Sequence, residues 1–216
     1  MRQLNWLSAF LLWLALACGA VAQTDQPNRR VPAVQAGTAA PQQQAAKKDA
    51  SSLDAEREKQ ALRILFKIVE KVIVSAADAM PADKYGFAPT DGEFKGVRTF
   101  GQQVKHLAAT NHILAAAAVG QEPPADAGDE TGPETVRTKA EILDYLSASF
   151  ARLGKAIDAI GEPNPAVKTS PISPLKSTEV TRSALVVEAL AHAFDHYGQM
   201  VEYLRMNGVV PPASRP

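Results

Sequence analysis

Residues 179–212 read EVTRSALVVEALAHAFDHYGQMVEYLRMNGVVPP. At the helical period of about 3.6, Leu185, Ala189, His192, His196, Gln199 and Tyr203 share one face, so the two histidines, four apart, point the same way. Imidazoles one turn apart can hold a single metal ion when a third ligand arrives from a neighbouring helix. The stretch also predicts its own end: Asn207-Gly208 tolerates positive φ, and Pro211-Pro212 cannot continue a helix. Spacing alone does not decide for a metal, because HxxxH arises by chance and two polar residues can simply line a bundle seam.

Working outward, the 216 residues are 46% hydrophobic and 21% charged, which suits one domain with tails. Formal charge is zero, so there is no basic excess to recruit nucleic acid and no acidic solvating tail. Arg2, the apolar run 7–17 and Ala20-Val21-Ala22 read as a secretory signal covering 1–22, cleaved before Gln23. The run is short for a bilayer span, so none is expected after cleavage. A periplasmic or secreted address follows. Cys18 as a lipoprotein cysteine is the alternative, weakened by Ala15 where a lipobox usually has Leu. As Cys18 is the single cysteine, the mature chain has no disulfide and no thiolate ligand, so any metal is held by nitrogen and oxygen.

Residues 23–50 are rich in Gln, Ala and Pro without apolar periodicity and read as a disordered tether, with the domain occupying 51–216. A first helix is predicted from about Ser52 to Met80, with Leu53, Ala61, Leu62, Leu65, Ile68, Val69, Val72, Ile73 and Ala76 as its apolar stripe. Pro and Gly then impose a loop anchored by Tyr85 and Phe87. A second helix begins after Thr99 as N-cap, carries Phe100, Gln103, Val104, Leu107, Thr110, Ile113 and Leu114 around His106, and stops at Gly120. His106 is a candidate third ligand, whereas His112 is rotated well away and reads as a packing or surface residue. A third helix spans about 138–160, and a proline-rich connector keeps 162–176 extended before the fourth. Four amphipathic helices and no convincing strand make an all-α four-helix bundle, expected to be antiparallel.

The segments 80–89 (MPADKYGFAP), Arg98-Thr99-Phe100-Gly101 leading to Lys105-His106, and His192-Ala193-Phe194-Asp195-His196-Tyr197-Gly198-Gln199 with 203–208 and Pro211-Pro212 resemble the DinB/YfiT-like family over about 53–215. The resemblance implies a four-helix bundle with one divalent ion on three histidines, here His106, His192 and His196. His112 matches no ligand of that pattern.

Three imidazoles leave coordination positions open, as in catalytic rather than closed sites. Glu188, Asp195 and Gln199 on the same helix are candidates to orient an imidazole or accept a proton. Zinc or nickel suits an all-nitrogen donor set with water, followed by iron or manganese. Family members include thiol-dependent transferases and proteins described as metal-dependent hydrolases. An exported chain, away from cytosolic thiols, fits hydrolysis of a small-molecule substrate better. The competing reading is a non-catalytic metal- or partner-binding module of the envelope. Nucleic acid is not expected, and a homodimer is compatible with the pattern.

Overall fold

In a computed structural model, residues 39–124, 127, 129–161, 165–169, 172 and 179–216 are described. The signal segment 1–22 and the tether up to 38 lie outside them. Four long helices appear among the described residues: α1 Ala39–Ala79, α2 Phe100–Ala118, α3 Lys139–Asp158 and α4 Arg182–Met206.

The helix starts follow their local chemistry. Thr99 and Thr138 each accept from the backbone three residues on, while Gln102 and Glu141 reach back to the cap N–H, giving two complete capping boxes. Thr181 caps α4 by accepting from the Ala184 N–H. At the far end of α4, Gly208 takes φ 72°, a conformation only glycine adopts cheaply, and releases the chain towards Pro211.

The start of α1 differs from expectation. The helix begins at Ala39 rather than near Ser52, so the later part of the stretch read as tether is helical. Residues 44, 45 and 47–50 are exposed, so this extension rests on the helix propensity of Ala, Gln and Lys, with Pro41 tolerated in the first turn. Apolar periodicity cannot detect a helical stretch whose described side chains are exposed.

The core is one cluster fed by all four helices, with Phe100, Phe150, Leu107, Leu146, Leu185 and Leu190 among its fully buried members. Every residue of α2 is buried except Gln102, Lys105 and Ala117, since this helix packs on both α3 and α4 and the connections cover the rest. On α1 the buried stripe is Leu62, Val69, Ile73, Ala76 and Ala77. Leu53, Leu65 and Ile68, expected in that stripe, are exposed on a second apolar face.

Helix direction corrects the antiparallel expectation. Arg63 meets Asp158 while Asp78 meets Lys139, so α1 and α3 run opposite ways. His106 meets His192 and Gln103 meets Gln199, so α2 and α4 also oppose. In contrast, Gly101 lies against Ile142 and Asn111 against Ser149, which makes α2 and α3 parallel. The bundle is up-down-down-up. The connection 119–138 therefore has to travel back along α2, well within the roughly 3.3 Å per residue that an extended chain covers. Before α4, the connector forms a two-stranded antiparallel ladder, β1 Ala166–Lys168 with β2 Glu179–Thr181, a small addition to the expected extended segment. Among the described residues no helix is long and apolar enough to cross a membrane.

Candidate metal centre

Because α2 and α4 are antiparallel neighbours, a turn of one faces a turn of the other. His106 thereby meets His192 and His196, which share a face of α4. The Nε2 atoms converge: His106 to His192 is 3.1 Å and His196 to His192 is 3.0 Å. All three rings meet edge-on with centroids 4.4–5.0 Å apart. Ligand nitrogens bound at about 2.0–2.1 Å to one ion sit at a similar mutual spacing.

Proton accounting shows that this cluster fits a cation. The His106 Nδ1 lies 2.5 Å from the Glu130 carbonyl oxygen, so it carries the proton and leaves Nε2 a bare lone pair. The His192 Nε2 faces the Nε2 atoms of both neighbours, and one proton cannot be directed at both. A divalent ion among three lone pairs removes the conflict. The three residues form the one such group of possible ligands among the described residues.

The imidazoles are also held in their ligand form. Burial lowers the pKa of His106, with the Arg98 charge acting the same way and the Glu130 carbonyl opposing. Burial, then the His106 charge, pushes His192 down to about 4. Burial, then His192 and His106, pushes His196 to about 3. At neutral pH all three are uncharged, the state that metal binding requires. Affinity is thus expected to persist below the ordinary value of about 6.5.

The surrounding shell comes from two places. The 119–138 connection delivers the Glu130 carbonyl, and it approaches α2 closely because Gly132, at φ 76°, has no Cβ; one would lie 2.9 Å from Lys105 Cγ. From α2, Gln103 places its Nε2 2.5 Å from Gln199 Oε1 and 3.3 Å from His196 Nδ1, while its own Oε1 is buried without a partner. The Gln103 amide thereby spans Gln199 and the Nδ1 side of the His196 ring. Gln199 continues the chain outward, donating to Asp195 Oδ2 at 3.0 Å.

Asp195 is therefore joined to the triad through two amides rather than touching it, and its side chain is exposed. Glu188 is half-buried one turn before His192. His112 lies outside the cluster, buried with its ring 4.8 Å from Tyr145. Beside the triad opens a cavity of about 1130 Å³ whose lining includes His196, Gln103, Gln199, Arg98 and Tyr203.

A family profile for the DinB superfamily matches residues 65–200, which contain all three histidines. The chain belongs to the DinB superfamily. No curated protein matches it. The DinB assignment and the geometry agree on an all-α bundle whose three close-set histidines could hold a divalent ion.

Two functional groups escaped the sequence reading. Gln103 stands three residues before His106, a spacing that shares a helix face and could have marked it. The Glu130 carbonyl has no side-chain signature, since any residue supplies one.

Proposed function

We propose that this DinB-superfamily protein is an exported metal-dependent enzyme of hydrolytic type acting on a small molecule. The observation that carries the reading is the cavity at the triad: His196 is both a candidate ligand and part of its wall. A module using the ion as a staple would want a fourth protein ligand, and among the described residues no fourth His, Cys, Asp or Glu joins the cluster.

His106, His192 and His196 would hold the ion, zinc or nickel before iron or manganese, through the converging Nε2 atoms. When bound, the ion supplies Lewis acidity, polarising a substrate oxygen and lowering the pKa of water in an open position. The Glu130 carbonyl fixes the His106 ring, and Gln103 with Gln199 fixes His196. Asp195 and Glu188 are the carboxylates on α4 assigned to proton acceptance or to orienting that network. Export rests on Arg2, the run 7–17 and Ala20-Val21-Ala22. An intact Met1 in the native protein would contradict it, and a lipid on Cys18 would replace cleavage before Gln23 with a membrane-anchored form.

The test of activity is turnover of model esters and phosphoesters by zinc- and nickel-loaded protein. Turnover that disappears together with metal in His192→Ala supports the reading, whereas turnover unchanged by that substitution or by chelator sinks it.

A further inference from the structure

The wall of the cavity is asymmetric in charge and polarity. Among the described residues three ionic side chains line it: Arg98, Lys105 and Glu202. Two of them are committed elsewhere. The Lys105 Nζ donates to the Pro133 carbonyl at 3.1 Å and the Val136 carbonyl at 3.5 Å, and Glu202 accepts from Arg205 at 2.8 Å. Arg98 is held only loosely, by one contact of 3.5 Å between Nη2 and the exposed Glu130 carboxylate. A guanidinium has five N–H donors, so most of its fork remains available to a planar anion.

The rim is apolar. Phe94, Val97 and Met206 line the same cavity and are 39%, 38% and 51% exposed, although large apolar side chains normally find cover. They come from two separate segments, the 86–99 loop and the end of α4, so their convergence is a product of the fold. At about 1130 Å³ the space exceeds the ~300–1,000 Å³ of ordinary ligand sites, enough for a molecule with both a head and a tail.

We infer that the cavity takes an organic carboxylate with an apolar tail, its charged head forked by Arg98 beside the triad and its tail lying across Phe94, Val97 and Met206. This rests on the reading of the triad as an open metal centre and adds a substrate class to it. A neutral polar substrate would leave the donors of Arg98 beyond its single Glu130 contact unused, and a small bare anion would leave the rim exposed.

The experiment is calorimetric titration of the full chain, zinc-loaded and separately after chelation, with octanoate, 1-octanol and acetate, and with zinc alone. Octanoate is expected to bind zinc-loaded protein at least about tenfold more tightly than either comparison, a charge-assisted hydrogen bond being sufficient for that factor. Arg98→Gln should erase the advantage of octanoate over octanol. Met206→Ser should weaken octanoate a few-fold and leave acetate unchanged. Both positions are exposed or half-buried, so the variants keep the fold. Equal binding of octanoate and octanol, or an Arg98→Gln variant indistinguishable from wild type, overturns the inference while normal zinc binding leaves the metal centre standing. Failure of wild type to bind zinc removes the metal reading instead, and the Arg98 dependence in chelated protein then judges the carboxylate site by the same criterion.

Discussion

The α1–α3 seam and the α2–α4 seam belong to one bundle but bury opposite chemistry. Between α1 and α3, Phe66 meets Phe150 edge-on at 6.0 Å, Gly154 lets Phe66 approach, and an exposed Arg63–Asp158 pair at 2.6 Å closes the edge. The groove there is only about 270 Å³. Between α2 and α4, the corresponding volume is given to three imidazoles and two amides, with a cavity of about 1130 Å³ beside them. Buried polar groups cost stability unless each is satisfied, and here the Gln103 oxygen and the three-way nitrogen contact are not. The first seam is satisfied as it stands; the second carries a stability cost that makes sense if a ligand completes it.

That contrast can be broken by substitution. Phe150→Ala removes a fully buried ring and should cost about 3–5 kcal/mol by denaturant unfolding, with metal stoichiometry of the folded fraction unchanged. If the α1–α3 seam is merely structural, no loss of metal accompanies the loss of stability.

The second effect is acid sensitivity of the metal-free protein. Folded His192 and His196 titrate near 4 and 3, whereas unfolded histidine titrates near 6.5, so the unfolded state binds more protons between these values. Their contribution to stability is complete above about pH 6.5 and is lost progressively as pH falls through the folded values. Melting temperature should decline from pH 6.5 towards 4, and the decline should flatten in a variant with both histidines replaced by Gln. A slope unchanged by that replacement would detach it from this seam.

How much of this was legible without coordinates depends on the kind of signal. Thr99 was readable as the N-cap of α2 and the start of α3 near Thr138 was readable from its apolar stripe, while the capping boxes that Gln102 and Glu141 complete are seen only in the structure. The His192/His196 pair was readable from spacing, while His106 needed the family likeness because nothing in one sequence says which helix lies opposite. The parallel run of α2 and α3 was not legible, since a 20-residue connection is long enough for either direction. The exposed Leu65 and Ile68 were misplaced because α1 carries two apolar faces and periodicity cannot choose which one meets α3.

Smaller effects sharpen the comparison. Gln103→Leu keeps volume but removes the polar contact to His196, and should weaken zinc affinity about 10–100-fold in a competition titration, with little change in melting temperature of the metal-free protein. An unchanged affinity would remove Gln103 from the site. Smallest of all, Arg63→Ala deletes an exposed ion pair and should cost less than about 1 kcal/mol, screened further by salt.

The central claim is that the α2–α4 seam is a metal site built from three histidines acting together. Metal content of untagged protein, measured by elemental analysis after dialysis against zinc and then nickel, tests it directly. One ion per chain in the wild type and in His112→Ala, with near-zero content in His106→Ala, His192→Ala and His196→Ala, is the predicted result. Absence of metal from the wild type, or a His112→Ala variant that loses metal as readily as His192→Ala, would contradict it.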